Sequence, residues 1–243
     1  MRIRLLLLLS VISVPALLHA QTAGSDPLYL GIEGGYNLRW QEASIGPCPE
    51  AECSPFVDGS GTGIAIGVSA FVPLTEDLDL RAALRWESVD GEFTSLRKNY
   101  PFLGQNNQVE YVDLEDELDI SMSVIQLDLR AAYTVMQPGI FVSAGPVLSL
   151  PLSSNWKLSE TITSPDRVSY LDGERSLVLW DEEIPDMNVH FGLRAGAGAR
   201  LTVMESLILV PEITYTHPLT ELHSDFAWTM SGVDVSVALM MKL

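Results

Sequence analysis

The residues best equipped for chemistry in this chain are ten charged side chains that recur within apolar surroundings. Glu33, Asp79, Asp128, Glu212 and Asp234 supply carboxylates, and Arg81, Arg85, Arg130, Arg194 and Arg200 supply guanidiniums. The two signs match in number although the chain carries a formal net charge of −18, so composition does not explain the balance. A buried ionic network needs such balance, because a buried charge stripped of its partner costs about 3–5 kcal/mol. Such a network can serve as an ion path gated by rearranging pairs, or it can staple and fill an interior. The second use is expected here.

Other groups offer less. "THPLTELHSDF" (216–226) brings His217, His223, Ser224 and Asp225 close in sequence, but nucleophile, base and orienter must meet in space to make a triad. His190 has no second metal ligand beside it. The acidic runs "VDLEDELD" and "LWDEEIPD" suit divalent cations, yet neither has the spacing of a calcium loop, and loop solubility accounts for them. "GAGAR" (196–200) lacks the Lys-Ser/Thr pair and the strand-to-helix setting of a phosphate loop. No catalytic residue, metal or cofactor is expected.

The opening residues bear on where the chain works. Arg2 and Arg4 precede the apolar "LLLLLSVISVPALL", and "LHA" ends at Ala20 in small residues suited to cleavage. This reads as a secretory signal over 1–20, with 21–243 as one mature domain. No cysteine follows the cleavage point to carry lipid. Cys48 and Cys53, in "PCPEAECSP", are read as a small disulfide loop, because an exported chain meets an oxidising compartment. Past the signal no apolar run approaches the roughly 20 residues of a spanning helix. The acidic charge argues against nucleic acid, whose binders carry basic patches.

What positions the charges is an alternation of period two. In "LDLRAALRWE" (78–87) a helix would set Arg81 and Arg85 one turn apart, where like charges repel. A strand sends Leu78, Leu80, Ala82, Leu84 and Trp86 one way and Asp79, Arg81, Ala83, Arg85 and Glu87 the other. The same alternation recurs over 28–40, 63–74, 118–135, 139–150, 188–203, 207–216 and 231–243, which makes eight strands in all. In 118–135 the apolar phase moves from even to odd numbers, which predicts a β-bulge near Val124 and Ile125. Pro146 and Pro211 fall inside strands, so each is expected at a bulge or beyond a strand end. "TED", "MQP" and "MES" are tight turns, whereas 41–60, 88–117, 151–187 and 217–230 are long connections. Short turns at one end and long loops at the other describe an all-β, eight-stranded up-and-down antiparallel barrel.

Side-chain size sets which face looks outward. An eight-stranded barrel is only wide enough inside for side chains to fill it. The charged face is rich in Gly, Ala and Ser and suits that interior; the bulky apolar face then meets lipid. Tyr36, Trp40, Trp86, Phe191 and Tyr215 fall near the outer strand ends and Tyr133 near the inner end, approximating an interfacial girdle.

With these stretches in place, "GIEGGYNLRW", "FGLRAGAGARL" and the "TEDLDLRAALRWE" hairpin resemble the small outer-membrane barrels. These are typified by the membrane domain of outer membrane protein A and by the PorT-like group. The likeness spans the mature chain, although such barrels commonly end in an aromatic residue and this one ends in Leu243. It implies assembly into the bacterial outer membrane, with short periplasmic turns and long extracellular loops. Some PorT-like proteins are tied to secretion, a role that pattern alone does not transfer. The expectation is a monomeric, non-enzymatic barrel in contact with outer-membrane lipid and lipopolysaccharide, its acidic loops meeting an envelope or secretion-system protein. The alternatives are a narrow pore, a lipid-modifying enzyme at the rim, and a soluble lipocalin-like carrier with its apolar face inward.

Overall fold

The computed structural model describes residues 27–45, 56–103, 108–137, 139–170 and 172–243. The expected signal segment and both cysteines, Cys48 and Cys53, lie outside the described residues. The strands are β1 (Tyr29–Ile45), β2 (Phe56–Pro73), β3 (Leu78–Leu103), β4 (Val109–Met136), β5 (Ile140–Ser164), β6 (Ser176–Glu183), β7 (His190–Ala199), β8 (Leu201–Met204), β9 (Leu207–Pro218) and β10 (Thr229–Lys242).

Eight of them close a ring in the order β1-β2-β3-β4-β5-β7-β9-β10. Every pairing in it is antiparallel, and β1 meets β10 from Tyr29↔Lys242 to Glu42↔Thr229. The other two strands are annexes. β8 continues β7 beyond Arg200 and pairs β9 in the register of β7 as far as Thr202↔Ile208, shifting before Met204↔Leu207, so the stretch expected as one strand over 188–203 is split at Arg200. β6 pairs the outer part of β5. The turn into β5 needs Gly139, whose φ of 125° L side chains rarely adopt.

The apolar face looks outward. Ile32 is 66% exposed, and Leu30, Leu38, Ile66, Val68 and Leu129 are exposed with it, whereas Arg81 on the opposite face is 1% exposed. A wall of exposed aliphatics with charge sealed behind it is stable only against hydrocarbon. A closed barrel also satisfies every backbone group there, since it leaves no strand edge. A soluble carrier with its apolar face inward is therefore excluded.

Strand length changes the picture of the long loops. A tilted strand crosses a bilayer in roughly 9–11 residues, but β3, β4 and β5 run for 26, 28 and 25. The segments 88–117 and 151–187, expected as loops, are largely strand. They form a β-sheet extension standing beyond the bilayer.

This extension also explains the apparent change of phase in β4. Val112, Leu114, Leu118, Ile120, Met122 and Val124 are all buried, on the same face as Gln126, Asp128 and Arg130. The β3 pairing passes unbroken from Glu87↔Val124 to Trp86↔Ile125, so the bulge predicted in β4 near Val124 and Ile125 is not there. The surroundings change and the strand does not. Below Val124 the outward residues are apolar and the inward ones polar; above it the two faces exchange character. The irregularity at this height belongs to β5, where Ser123↔Ser153 is followed by Val124↔Pro151, leaving Leu152 unmatched.

Pro146 and Pro211 sit within β5 and β9 in register with Leu193 and Val237, neither at a bulge nor outside a strand. Each coincides with a gap in the ladder on its other side: opposite Pro146 between Asp128 and Ala131 of β4, and opposite Pro211 at the Arg200 break. A missing N–H costs nothing where no partner is waiting for it.

Candidate functional site

Three layers fill the barrel. At the short-turn end Phe71, Phe141, Val210, Ala238 and Met240 pack together, with Phe71 and Phe141 edge-on at 5.7 Å. Gly198 makes this possible, because a Cβ there would meet the Phe141 ring at 2.6 Å. At the opposite end Phe56, Phe93, Leu118, Leu158, Leu222 and Trp228 form a second apolar plug. The charges lie between them.

Those charges form a closed circuit of alternating sign. Arg39 binds Glu87 at 2.9 Å and Asp234 at 2.8 Å. Glu87 faces Arg85 at 3.8 Å, Arg85 faces Glu33 at 3.5 Å, and Glu33 accepts from Arg81 at 2.9 Å. Arg81 also donates to Glu212, which accepts from Arg130 at 2.7 Å. Arg130 pairs with Asp128 at 2.9 Å, Asp128 with Arg194 at 3.1 Å, and Arg194 closes on Asp234 at 3.3 Å. Neutral groups take up further donors: Gln126 accepts from Arg85 at 3.0 Å and from Arg194 at 2.9 Å, and Ser143 accepts from Arg130 at 2.8 Å. Arg200 and Asp79 make a separate pair below, with the guanidinium over the Phe71 ring at 4.9 Å.

All ten sequence-predicted residues are therefore in the interior, eight of them in the circuit and two in the pair beneath it. Arg39 and Glu87 complete the circuit and were not in the predicted set. The alternation had already put both on the charged face, and that was the signal available. Adding one of each sign keeps the balance. The lumen glycines of "GAGAR" lie on the inner face of β7, beside this network.

The histidines do not assemble. His217 points outward on β9, while His223 is buried and stacked on Phe226 at 4.4 Å. Its Nδ1 accepts the Asp225 backbone N–H at 3.3 Å, and both Ser224 and Asp225 are exposed. This is a packed turn in which His223 holds no hydroxyl. His190 opens β7 opposite Ser149 and is buried. Among the described residues no group of three or more His, Cys, Asp or Glu is placed to hold a metal.

In the extension Arg97 clasps Asp116 with two bonds of 2.6 and 2.7 Å and also pairs with Glu160, which accepts from Tyr170 Oη at 2.6 Å. Burial works against the Arg97 charge, but Asp116 and Glu160 more than offset it and hold its pKa above the ordinary value. Burial, reinforced by Glu160, pushes the Tyr170 phenol well above its usual range. This cluster fastens β3, β4 and β5 to one another at the far end.

Even-numbered, closed, antiparallel, and apolar on the outside over one bilayer's height, the chain is an outer-membrane β-barrel protein. No family model matches the sequence, and no curated protein matches it. Among solved structures it is similar to Ail, the attachment invasion locus protein of Yersinia pestis, at 8% identity and a TM-score of 0.30, over 90% of this chain and 100% of that one. Neisserial surface protein A is similar at 13% identity and a TM-score of 0.37, over 90% and 99%. The outer membrane protease OmpT of Escherichia coli is similar at 8% identity and a TM-score of 0.38, over 90% and 97%.

Proposed function

We propose that this protein is a non-enzymatic anchor that holds an acidic β-sheet extension at the cell surface, where it contacts the envelope or a partner protein. The observation that carries this reading is the contrast between the interior and the extension. The lumen is filled by two apolar plugs and an ion circuit, with Phe93, Leu118, Val124 and Phe141 at 0% exposure. The extension, by contrast, spends many residues outside the bilayer and turns Asp90, Glu92, Glu115, Glu117 and Asp119 away from the barrel axis. Moving an ion through would require parting both plugs as well as the charge pairs. A rim enzyme would need a nucleophile and base in contact, and the buried His223 disfavours it.

Conductance separates anchor from pore. Purified barrel inserted into a planar bilayer, with insertion verified by its altered gel mobility before boiling, is expected to give no current above the lipid background. Reproducible unitary openings would overturn the reading.

A further inference from the structure

The barrel has no strand edge, but the extension has two. Past Phe93, β3 pairs β4 alone, and β6 pairs β5 alone, so among the described residues the far sheet is open on both sides. Alternation along an antiparallel pair tells which backbone groups of β6 are unpaired. Ile162 N donates to Arg175 O, and Ile184 N donates to Ser154 O. Leu177, Trp180 and Glu182 therefore turn their backbone groups to β5, whereas Ser176, Val178, Asp181 and Glu183 turn theirs to the free side. The two series meet at Leu179, which the pairing leaves unmatched.

The two edges are guarded differently. The β3 edge carries Lys98, a bulge between Arg97 and Tyr100, and Pro101, all of which discourage a further strand. The β6 edge carries Leu177, Val178 and Leu179 in succession, all exposed. Successive residues of a strand point to opposite faces, so this edge is apolar on both. Leu177 and Val178 pair Glu160 and Ser159, well past Leu152, the last exposed aliphatic of β5. That is roughly 23–26 Å further along the strand, too far out to meet acyl chains. Nearer the membrane the same edge becomes acidic, with Asp181, Glu182 and Glu183 in a row and Lys157, opposite Asp181, the one cation in these three pairs.

We propose that the free edge of β6 takes up an extended segment of a partner protein as an added antiparallel strand, apolar opposite Leu177, Val178 and Leu179 and basic opposite Asp181, Glu182 and Glu183. Backbone bonds to the unpaired edge supply the affinity, and charge complementarity supplies the selection. A second copy of this chain fits less well. Two barrels in one membrane point the same way, so their β6 edges meet only in parallel, with the acids of one beside the acids of the other, where like charges oppose pairing. The proposal rests on the anchor reading, whose partner it names, and the two fail separately: current reports on the lumen, strand addition on the edge.

The test is fluorescence anisotropy of a labelled peptide, three lysines followed by alternating valine and threonine, titrated with the full mature chain in phosphatidylcholine nanodiscs. Saturable binding is expected, and an analogue with glutamates for the lysines is expected not to bind. Val178→Pro removes an N–H that faces the free side, at an edge position that tolerates proline, and is expected to weaken binding by about tenfold. D181N/E182Q/E183Q is expected to weaken it by about fivefold. Altered gel mobility before boiling confirms that each variant is folded. No saturable binding of the lysine peptide, equal binding of the glutamate analogue, or unchanged affinity in either variant would overturn the assignment.

Discussion

The two halves of β4 obey opposite rules. Over 125–135 the outward residues are Ile125, Leu127, Leu129, Ala131, Tyr133 and Val135, and the inward ones include Asp128 and Arg130. Over 112–124 the outward residues are Asp113, Glu115, Glu117, Asp119, Ser121 and Ser123, and the inward ones are predominantly Val, Leu, Ile and Met. β3 and β5 exchange faces at the same height, with Trp86 giving way to Ser88 and Leu150 to Ser153. One continuous strand is thus inside-out in lipid and ordinary in water. The medium outside the wall decides which face carries grease, and the interior takes the remainder.

The charged interior of the lipid-bound half also fixes the facing of its strands. A slip of one residue would turn Arg81, Arg85 or Arg130 toward hydrocarbon, and an Arg on the lipid face near the midplane costs about 2–4 kcal/mol. An interior as apolar as the exterior would carry no such code. The extension needs none, because water already penalises the wrong facing of its Leu and Phe residues.

The largest effect is expected from breaking the interior circuit. Glu212→Ala leaves Arg81 and Arg130 each short of a partner, so the barrel should lose about 3–5 kcal/mol of stability, read from urea unfolding of the refolded protein in vesicles. No loss would mean that these arginines are solvated. A smaller effect comes from adding the same charge to the same face of the same strand at two heights. Leu129→Arg should cost about 2–4 kcal/mol near the midplane, and Ser121→Arg should change stability by less than about 0.5 kcal/mol. Equal costs would erase the boundary drawn between them.

The smallest effect concerns Glu117. Burial first, then Asp119, Glu92 and Glu115, raise its pKa above the ordinary carboxylate value. Its ionised form is therefore disfavoured in the folded state, and the resulting penalty is present at neutral pH and relieved as pH falls through the raised pKa. Glu117→Gln should slightly raise the unfolding midpoint at pH 7 and leave it unchanged in acid. A lower midpoint at pH 7 would contradict that sign.

Much of this was legible in period-two alternation alone: the eight-stranded ring, its short turns, the outward aliphatics and the ten interior charges. Arg39 and Glu87 were equally legible, since alternation had put them on the right face. Other features were hidden for a physical reason. "VDLEDELD" buries Val112, Leu114 and Leu118 in alternation with acids, but its charge density reads as loop until the plug beneath it is seen. The even-numbered apolar residues of 118–124 mimic a register slip, because periodicity reports which face is apolar without saying what lies beyond it. The burial of His223 goes with the stacking of Phe226 on its ring and a backbone bridge to Trp228, which no spacing reveals.

The most direct test of the two-medium account is a spin-label scan of the odd-numbered positions of β4 from 113 to 135, in a background lacking Cys48 and Cys53 and reconstituted in vesicles. Collisions with oxygen should dominate from 125 to 135 and collisions with a water-soluble nickel complex from 113 to 121, crossing over near 123. Uniform nickel accessibility along the whole series, or oxygen dominance continuing past 119, would contradict the account.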